Sequence, residues 1–257
     1  MTKPSPWLAC RLRRPEASVR LFCFPHSGGS VGEYVRWADL LPDIEVWGVQ
    51  LPGRGARAEE APFTRIHELV DSLVASVDFG TSFAFFGHSL GALVAFETAL
   101  RLRDLGRTPP DWLFLSAAPA PQLPPRGLPP SHLDEAGLLT ALEPTYGELI
   151  LELREDAELR ELLLPGLRAD LSLVESYLHA ARAPLHCAMT VTGGVQDDLT
   201  REELEPWSAH TAGPFELHLL PGGHFYLREQ KATLLRLVEE TLRKGRPPTA
   251  STQDLKP

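Results

Sequence analysis

Ser82-Phe83-Ala84-Phe85-Phe86-Gly87-His88-Ser89-Leu90-Gly91-Ala92-Leu93-Val94 is the stretch on which the fold turns. An apolar, aromatic run of strand character ends in Gly-x-Ser-x-Gly, and a helix-period segment from Leu90 to Leu105 follows. Strand, sharp turn, helix is the setting in which such a pentapeptide lifts a serine to the carboxyl edge of a sheet. The glycines serve a steric purpose, because the turn strains the serine's backbone and side chains on its neighbours would clash. Ser89 also lies at a helix N-terminus, where backbone N–H groups favour developing negative charge. A glycine turn with a capping serine would carry the same letters. The rest of the chain must therefore supply partners for a nucleophile.

Outward from Ser82–Phe86, the runs Val19–Phe24, Ile44–Val49, Trp112–Ser116, Cys187–Thr192 and Phe215–Leu220 are short, apolar, and rich in β-branched or aromatic residues. Helix-period segments lie between most of them, at Tyr34–Leu41, Ile66–Val77, Leu90–Leu105 and Leu199–Ala209. Alternation of this kind, with strands apolar on both faces, predicts an α/β fold whose mostly parallel central sheet is flanked by helices. Residues 120–181 interrupt the alternation with a Pro-rich opening and helical patterns at Leu133–Leu142, Tyr146–Leu164 and Leu167–Ala180. An all-helical insertion cannot join the sheet, and its expected place is over the carboxyl edge, as a lid. The expectation is one domain over 1–257 with this lid inserted, ending in a polar, Pro-containing, disordered tail at 244–257.

The 257 residues are 43% hydrophobic and 23% charged, with a formal net charge of −9. That mix builds an ordinary globular core, and the acidic balance excludes a non-specific grip on nucleic acid or anionic lipid. Cys10, Cys23 and Cys187 are scattered and read as buried thiols in a reducing compartment, with neither a disulfide framework nor a metal site. No signal-peptide core and no run of membrane-spanning length is seen, so the expected location is the cytoplasm.

A serine hydroxyl attacks only when a base takes its proton, and the base needs a carboxylate to hold its tautomer. In folds with this elbow the chain order is Ser, then Asp or Glu, then His. The loop Gly193-Gly194-Val195-Gln196-Asp197-Asp198 and the loop Pro221-Gly222-Gly223-His224-Phe225 both follow strands and reach the same edge as Ser89. His224 is the expected base; the remaining histidines fall on strands, helices or turns, and His88 is expected to pack inside the elbow. Asp197 and Asp198 compete as its orienter. After the first strong strand, Phe24-Pro25-His26-Ser27-Gly28-Gly29-Ser30 lies where such hydrolases keep an oxyanion donor, which assigns the hole to the backbone N–H groups of Ser27 and Leu90. His26 either orients this loop by hydrogen bonding or packs.

Phe24–Gly29, Gln50-Leu51-Pro52-Gly53-Arg54-Gly55, Gly87–Gly91, Gly194-x-x-Asp197 and Pro221–Phe225 together resemble the discrete type II thioesterases of polyketide synthase and nonribosomal peptide synthetase pathways, in the α/β-hydrolase superfamily. The resemblance runs from about Trp7 to Leu242, and includes the lid segment Leu163-Leu164-Pro165-Gly166-Leu167-Arg168-Ala169-Asp170 and Trp207. It implies an α/β-hydrolase fold and hydrolysis of acyl groups held as thioesters on the phosphopantetheine arm of acyl or peptidyl carrier proteins; no metal or other cofactor is expected, and the chain is expected to act as a monomer. Its spacing selects Asp197 over Asp198, completing a Ser89, Asp197, His224 triad. The sequence departs from the pattern at Ser27, where alanine is frequent, at Asp198, where proline is common, and between Leu128 and Tyr146 of the lid. Arg54 and Arg57, in a motif that also reads as a structural turn, are expected to receive the phosphopantetheine phosphate or an acidic carrier helix, because a chain of net charge −9 must offset repulsion locally. A chain-releasing or medium-chain acyl thioesterase, a cytoplasmic carboxylesterase, and a binding protein on a hydrolase scaffold share many of these features.

Overall fold

The computed structural model describes residues 5–124 and 129–244. The expected disordered tail beyond Lys244 and the part of the lid opening at 125–128 lie outside the described residues. Seven strands, β1 (Leu8–Ala9), β2 (Val19–Phe24), β3 (Ile44–Val49), β4 (Phe83–His88), β5 (Trp112–Ser116), β6 (Ala188–Gly194) and β7 (Phe215–Leu220), form one sheet. Its order is β1-β3-β2-β4-β5-β6-β7. Every neighbouring pair is parallel except β1 with β3. This is the mostly parallel α/β architecture read from the sequence. The two-residue β1 was not expected, since so short an edge strand leaves no periodic signal.

The apolar strands divide their side chains between two helical layers. In β2, Phe22 and Phe24 point to one face, while Leu21 and Cys23 point to the other; in β4, Phe83 and Phe85 oppose Ala84 and Phe86 in the same way. The first face packs on α2 (Ile66–Ser76) and α3 (Leu90–Asp104). The second packs on α1 (Val31–Val35), the 3₁₀ turn Arg36–Asp39, and α9 (Lys231–Lys244), through Tyr34, Trp37, Leu234, Leu235 and Val238. Burial on both sides explains why these strands read as continuous apolar runs without alternation.

Between β5 and β6 the chain inserts α4 (Glu135–Tyr146), α5 (Glu148–Glu155) and α6 (Ala157–Glu175). The sequence had placed a helix boundary at Pro165-Gly166, and this is corrected: α6 runs through Pro165. A proline inside a helix removes one backbone hydrogen bond, and here the burial of Leu164, Leu167 and Leu171 on one face of α6 outweighs that loss. The real boundary is Asp156, whose carboxylate accepts the Leu159 N–H at 3.0 Å as an N-cap. The expected helix Tyr34–Leu41 resolves into α1 and its 3₁₀ turn, and the segment Leu199–Ala209 into α7 (Arg201–Leu204) followed by a 3₁₀ turn at Glu205–His210.

From β2 the chain steps to β3 on one side and then returns across β2 to β4, so the direction of winding reverses between β2 and β4. Phe24 and Gly87 are paired at the carboxyl ends of those strands. Open α/β sheets have their crevice at such a reversal.

Candidate active site

Ser89 stands at the end of β4 with φ 55° and ψ −121°, a conformation rare for a residue with a side chain. Its N–H donates to the Ser116 carbonyl at 2.8 Å, which fixes the turn against β5. Glycine is required on both sides. A Cβ on Gly87 would lie 2.2 Å from the Gly91 carbonyl oxygen, and one on Gly91 would lie 2.0 Å from the Phe24 carbonyl oxygen. The second approach presses the start of α3 onto the end of β2 and sets the loop from His26 to Ser30 beside the elbow.

Ser27 is buried in that loop. The Gly29 N–H donates to the His26 carbonyl at 2.8 Å, so the peptide between His26 and Ser27 turns its oxygen inward. In a trans peptide the N–H points the opposite way, and the Ser27 N–H therefore projects out of the turn. Among the described residues neither the Ser27 N–H nor the Leu90 N–H has a protein acceptor.

His224 follows β7, and its Nδ1 lies 3.0 Å from Asp197 Oδ2 in a hydrogen bond; the side chains are 18% and 6% exposed. With Nδ1 held, Nε2 is the ring nitrogen left for chemistry. Asp198 is exposed and does not take this place, nor does it cap the following helix, whose capping box is Thr200 with Glu203. The acid and base loops are joined backbone to backbone. The Val195 N–H donates to the Leu220 carbonyl at 2.8 Å and the Gln196 N–H to the Gly222 carbonyl at 2.9 Å, while the Gln196 side-chain oxygen accepts the Gly222 N–H. A Cβ on Gly194 would sit 2.3 Å from the carbonyl oxygens of both Gly222 and Gly223, so only glycine permits this approach. Gln196 was not singled out in the sequence, because its role depends on a loop distant in the chain.

Beneath the elbow lies a buried polar chain that the sequence did not show. His88 Nδ1 bonds Ser116 Oγ at 2.8 Å, Ser116 Oγ bonds the Tyr226 hydroxyl at 2.7 Å, and that hydroxyl donates to Thr192 Oγ1 at 2.6 Å. It ties β4, β5 and β6 to α8 (Tyr226–Glu229), which begins two residues after His224. Burial pushes the Tyr226 phenol up to about 12, and holds the His88 imidazole well below the usual histidine range. His26 both packs and bonds: its Nδ1 is 2.9 Å from the Tyr34 hydroxyl, its ring lies against Phe225, and burial lowers its pKa to about 3.

Arg54 and Arg57, expected as a carrier or phosphate contact, face inward to partners within the chain. Arg54, 10% exposed, forms a two-point pair with Asp170 of α6 at 2.8 and 2.5 Å. Arg57 is buried, pairs with Glu60 at 2.8 and 2.5 Å, donates to the Gln50 carbonyl at 3.0 Å and stacks 4.0 Å over the Trp7 ring. Each guanidinium is tied to partners within the chain, with Arg54 Nε buried and unpartnered among the described residues, and this inward orientation favours the turn reading of the motif. Asp170 had appeared only as one letter of the lid segment. Among the described residues, no three His, Cys, Asp or Glu side chains gather as a metal site, and no helix is long and apolar enough to cross a membrane.

Comparison with known proteins places these features in a family context. The model of the thioesterase domain family matches residues 19–242. The protein named linear gramicidin dehydrogenase LgrE, from Brevibacillus parabrevis, is 40% identical over 247 residues, covering 93% of either chain. Thioesterase PikA5 of Streptomyces venezuelae is 39% identical over 221 residues, which is 84% of this chain and 78% of that one. Among solved structures, the type II thioesterase BorB from the borrelidin biosynthetic cluster superposes with a TM-score of 0.80 at 34% identity, covering 94% of this chain and 98% of that one.

Proposed function

We infer function from one premise: the chain belongs to the thioesterase domain family. It is a hydrolase of thioesters, and we propose that it is a type II, editing thioesterase of polyketide or nonribosomal peptide synthesis, clearing acyl groups from the phosphopantetheine arm of carrier proteins. The likeness to PikA5 and to the type II enzyme BorB supports the pathway class. The observations that carry the chemistry are a strained elbow serine and an imidazole whose Nδ1 is held by a nearly buried carboxylate, the His224 ring lying 5.2 Å from that of His88, the residue before Ser89.

In this reading His224 Nε2 takes the Ser89 hydroxyl proton as Oγ attacks the thioester carbonyl. Asp197 holds the ring in the tautomer with hydrogen on Nδ1 and stabilises the imidazolium that forms. The Ser27 and Leu90 N–H groups receive the oxyanion, with the positive end of α3 behind it. The C–S bond breaks as His224 returns the proton to the pantetheine thiol. Water, giving a proton to the same nitrogen, then releases the acid and frees Ser89. The insertion α4–α6 is the lid over this edge.

The test compares an acyl-carrier thioester with a chain-matched oxygen ester. The thioester should be preferred, Ser89→Ala should abolish turnover, Asp197→Asn should lower kcat by about 10⁴-fold, and Asp198→Asn should change it by less than about threefold. Preference for the oxygen ester would overturn the thioesterase assignment for this chain's natural substrate, and equal effects of the two asparagine variants would overturn the triad.

A further inference from the structure

We propose that Asp170 is a positioning residue for the oxyanion hole, and that through it the helical insertion assembles the site it covers. This rests on the thioesterase reading and extends it. Asp170 lies on α6, far in sequence from the loop at Ser27, and its side chain is 2% exposed. Its Oδ2 accepts the Gly28 N–H at 2.7 Å and Arg54 Nη1 at 2.8 Å, while Oδ1 accepts Arg54 Nη2 at 2.5 Å. Arg54 Nη1 also reaches the Gly29 carbonyl at 3.5 Å.

These contacts hold the residue between them. The peptide before Ser27 is oriented by the Gly29 N–H to His26 carbonyl bond, and the peptide after it by the Gly28 N–H to Asp170 bond. With both flanking peptides fixed, the direction of the Ser27 N–H is fixed as well. Gly28 has φ +70°, a conformation that glycine takes without strain, and an added Cβ there would lie 3.2 Å from Leu167 of α6. The helix thus touches the loop by packing and by charge.

Arg54 has a separate task. A lone buried carboxylate beside a forming oxyanion would oppose the reaction, and a carboxylate deprived of its cation would be costly to bury. The two-point guanidinium cancels that charge while leaving Oδ2 free to accept from Gly28. Displacement of α6 would remove the anchor of Gly28 and the neutralising pair together. Oxyanion stabilisation is therefore available when the insertion is seated, and the seating of α6 selects the competent loop.

The experiment separates positioning from folding. Single removal of either charge leaves the other buried, so the main variant is the double Arg54→Met with Asp170→Leu, which refills the volume without charge. Asp170→Asn is the second variant. Arg168→Ala is the control, since Arg168 bonds the Ser131 and Leu133 carbonyls inside the insertion and does not touch the loop. Kinetics on a small thioester and the inhibition constant of a ketone that forms a hemiketal with Ser89 are read beside the melting temperature. The double variant should lose about 10²-fold in kcat and in ketone affinity with KM within about threefold, Asp170→Asn about tenfold, and the control little. A double variant with normal kcat and ketone affinity, or a control that loses as much as the double, would overturn the proposal. So would an Asp170→Asn enzyme whose loss falls in KM alone. Wild-type turnover of the thioester, abolished in Ser89→Ala, is measured in the same assay; its absence strikes the thioesterase reading, whereas normal turnover with unaffected Asp170 variants strikes only the positioning role.

Discussion

Ser89 can hold its positive φ because neighbouring atoms leave no alternative: Gly87 and Gly91 admit backbone within a Cβ radius, and the Ser89 N–H is tied to Ser116. The same crowding buries His26 and His88, whose rings lie 5.7 Å apart. Both are held neutral, His26 with a pKa of about 3 and His88 well below the ordinary value, chiefly by desolvation. In the unfolded chain each would bind a proton near pH 6.5, so below that pH the unfolded state carries more protons and gains on the folded one. Stability is thus fully present above pH 6.5 and falls as acid is added, down to about pH 3 for His26. His26 alone should cost about 1.5 kcal/mol between pH 6.5 and pH 5, with His88 adding in the same direction. Denaturant titrations at the two pH values check this, and an unchanged midpoint would show that these imidazoles charge freely in the fold.

At the scale of elements, α3 does more than present Ser89. Glu97, a single carboxylate in an otherwise apolar stretch of that helix, is buried and accepts the Tyr177 hydroxyl at 2.6 Å and Arg182 Nη2 at 2.6 Å on both oxygens. Tyr177 and Arg182 belong to the segment that returns from α6 to β6, so the exit of the insertion is pinned to the helix that carries the elbow. Burial beside that carboxylate pushes the Tyr177 phenol up, keeping it a hydrogen-bond donor. Glu97→Ala leaves Arg182 without its partner and should destabilise the protein by about 3 kcal/mol in urea unfolding, with Glu97→Gln losing less. Equal stability of all three proteins would remove the pin. A lone glutamate on the apolar face of a predicted helix was the available signal, but its partners lie 80 and 85 residues away. Helix α6 shows the opposite limit: Pro165-Gly166 reads as a break in isolation, and only the apolar surface it packs on makes the helix continuous.

At the scale of the molecule, the buried apolar clusters among the described residues are three, one on each face of the sheet and a third inside the insertion, built from Leu138, Leu142, Ile150, Leu164, Leu167 and Leu171. The third is separate from the sheet cores, and its links to them include the Asp170 pair, the Tyr146–Phe225 ring contact and the Glu97 pin. A unit so joined opens more easily than the sheet it covers, and native-state hydrogen exchange should place the opening free energy of α4–α6 at least about 2 kcal/mol below that of β4 and β5. Equal protection throughout would mean that the insertion and the sheet unfold as one body. Features that depend on neighbours in the chain were legible in the sequence: the six longer strands, the α2 and α3 helices, the elbow at Ser89, and the loops bearing His224 and Ser27, because strand periodicity, glycine turns and helix starts are local in origin. The assembled fold alone shows that Arg54 and Arg57 turn inward to Asp170 and Glu60 and that the insertion meets the loop at Ser27, and it sets Asp197, which the family resemblance had selected, against His224. Those outcomes depend on how elements far apart in the chain are brought together at the carboxyl edge, and on the high cost of burying a charge, which makes each buried ion find its partner wherever the fold has placed one.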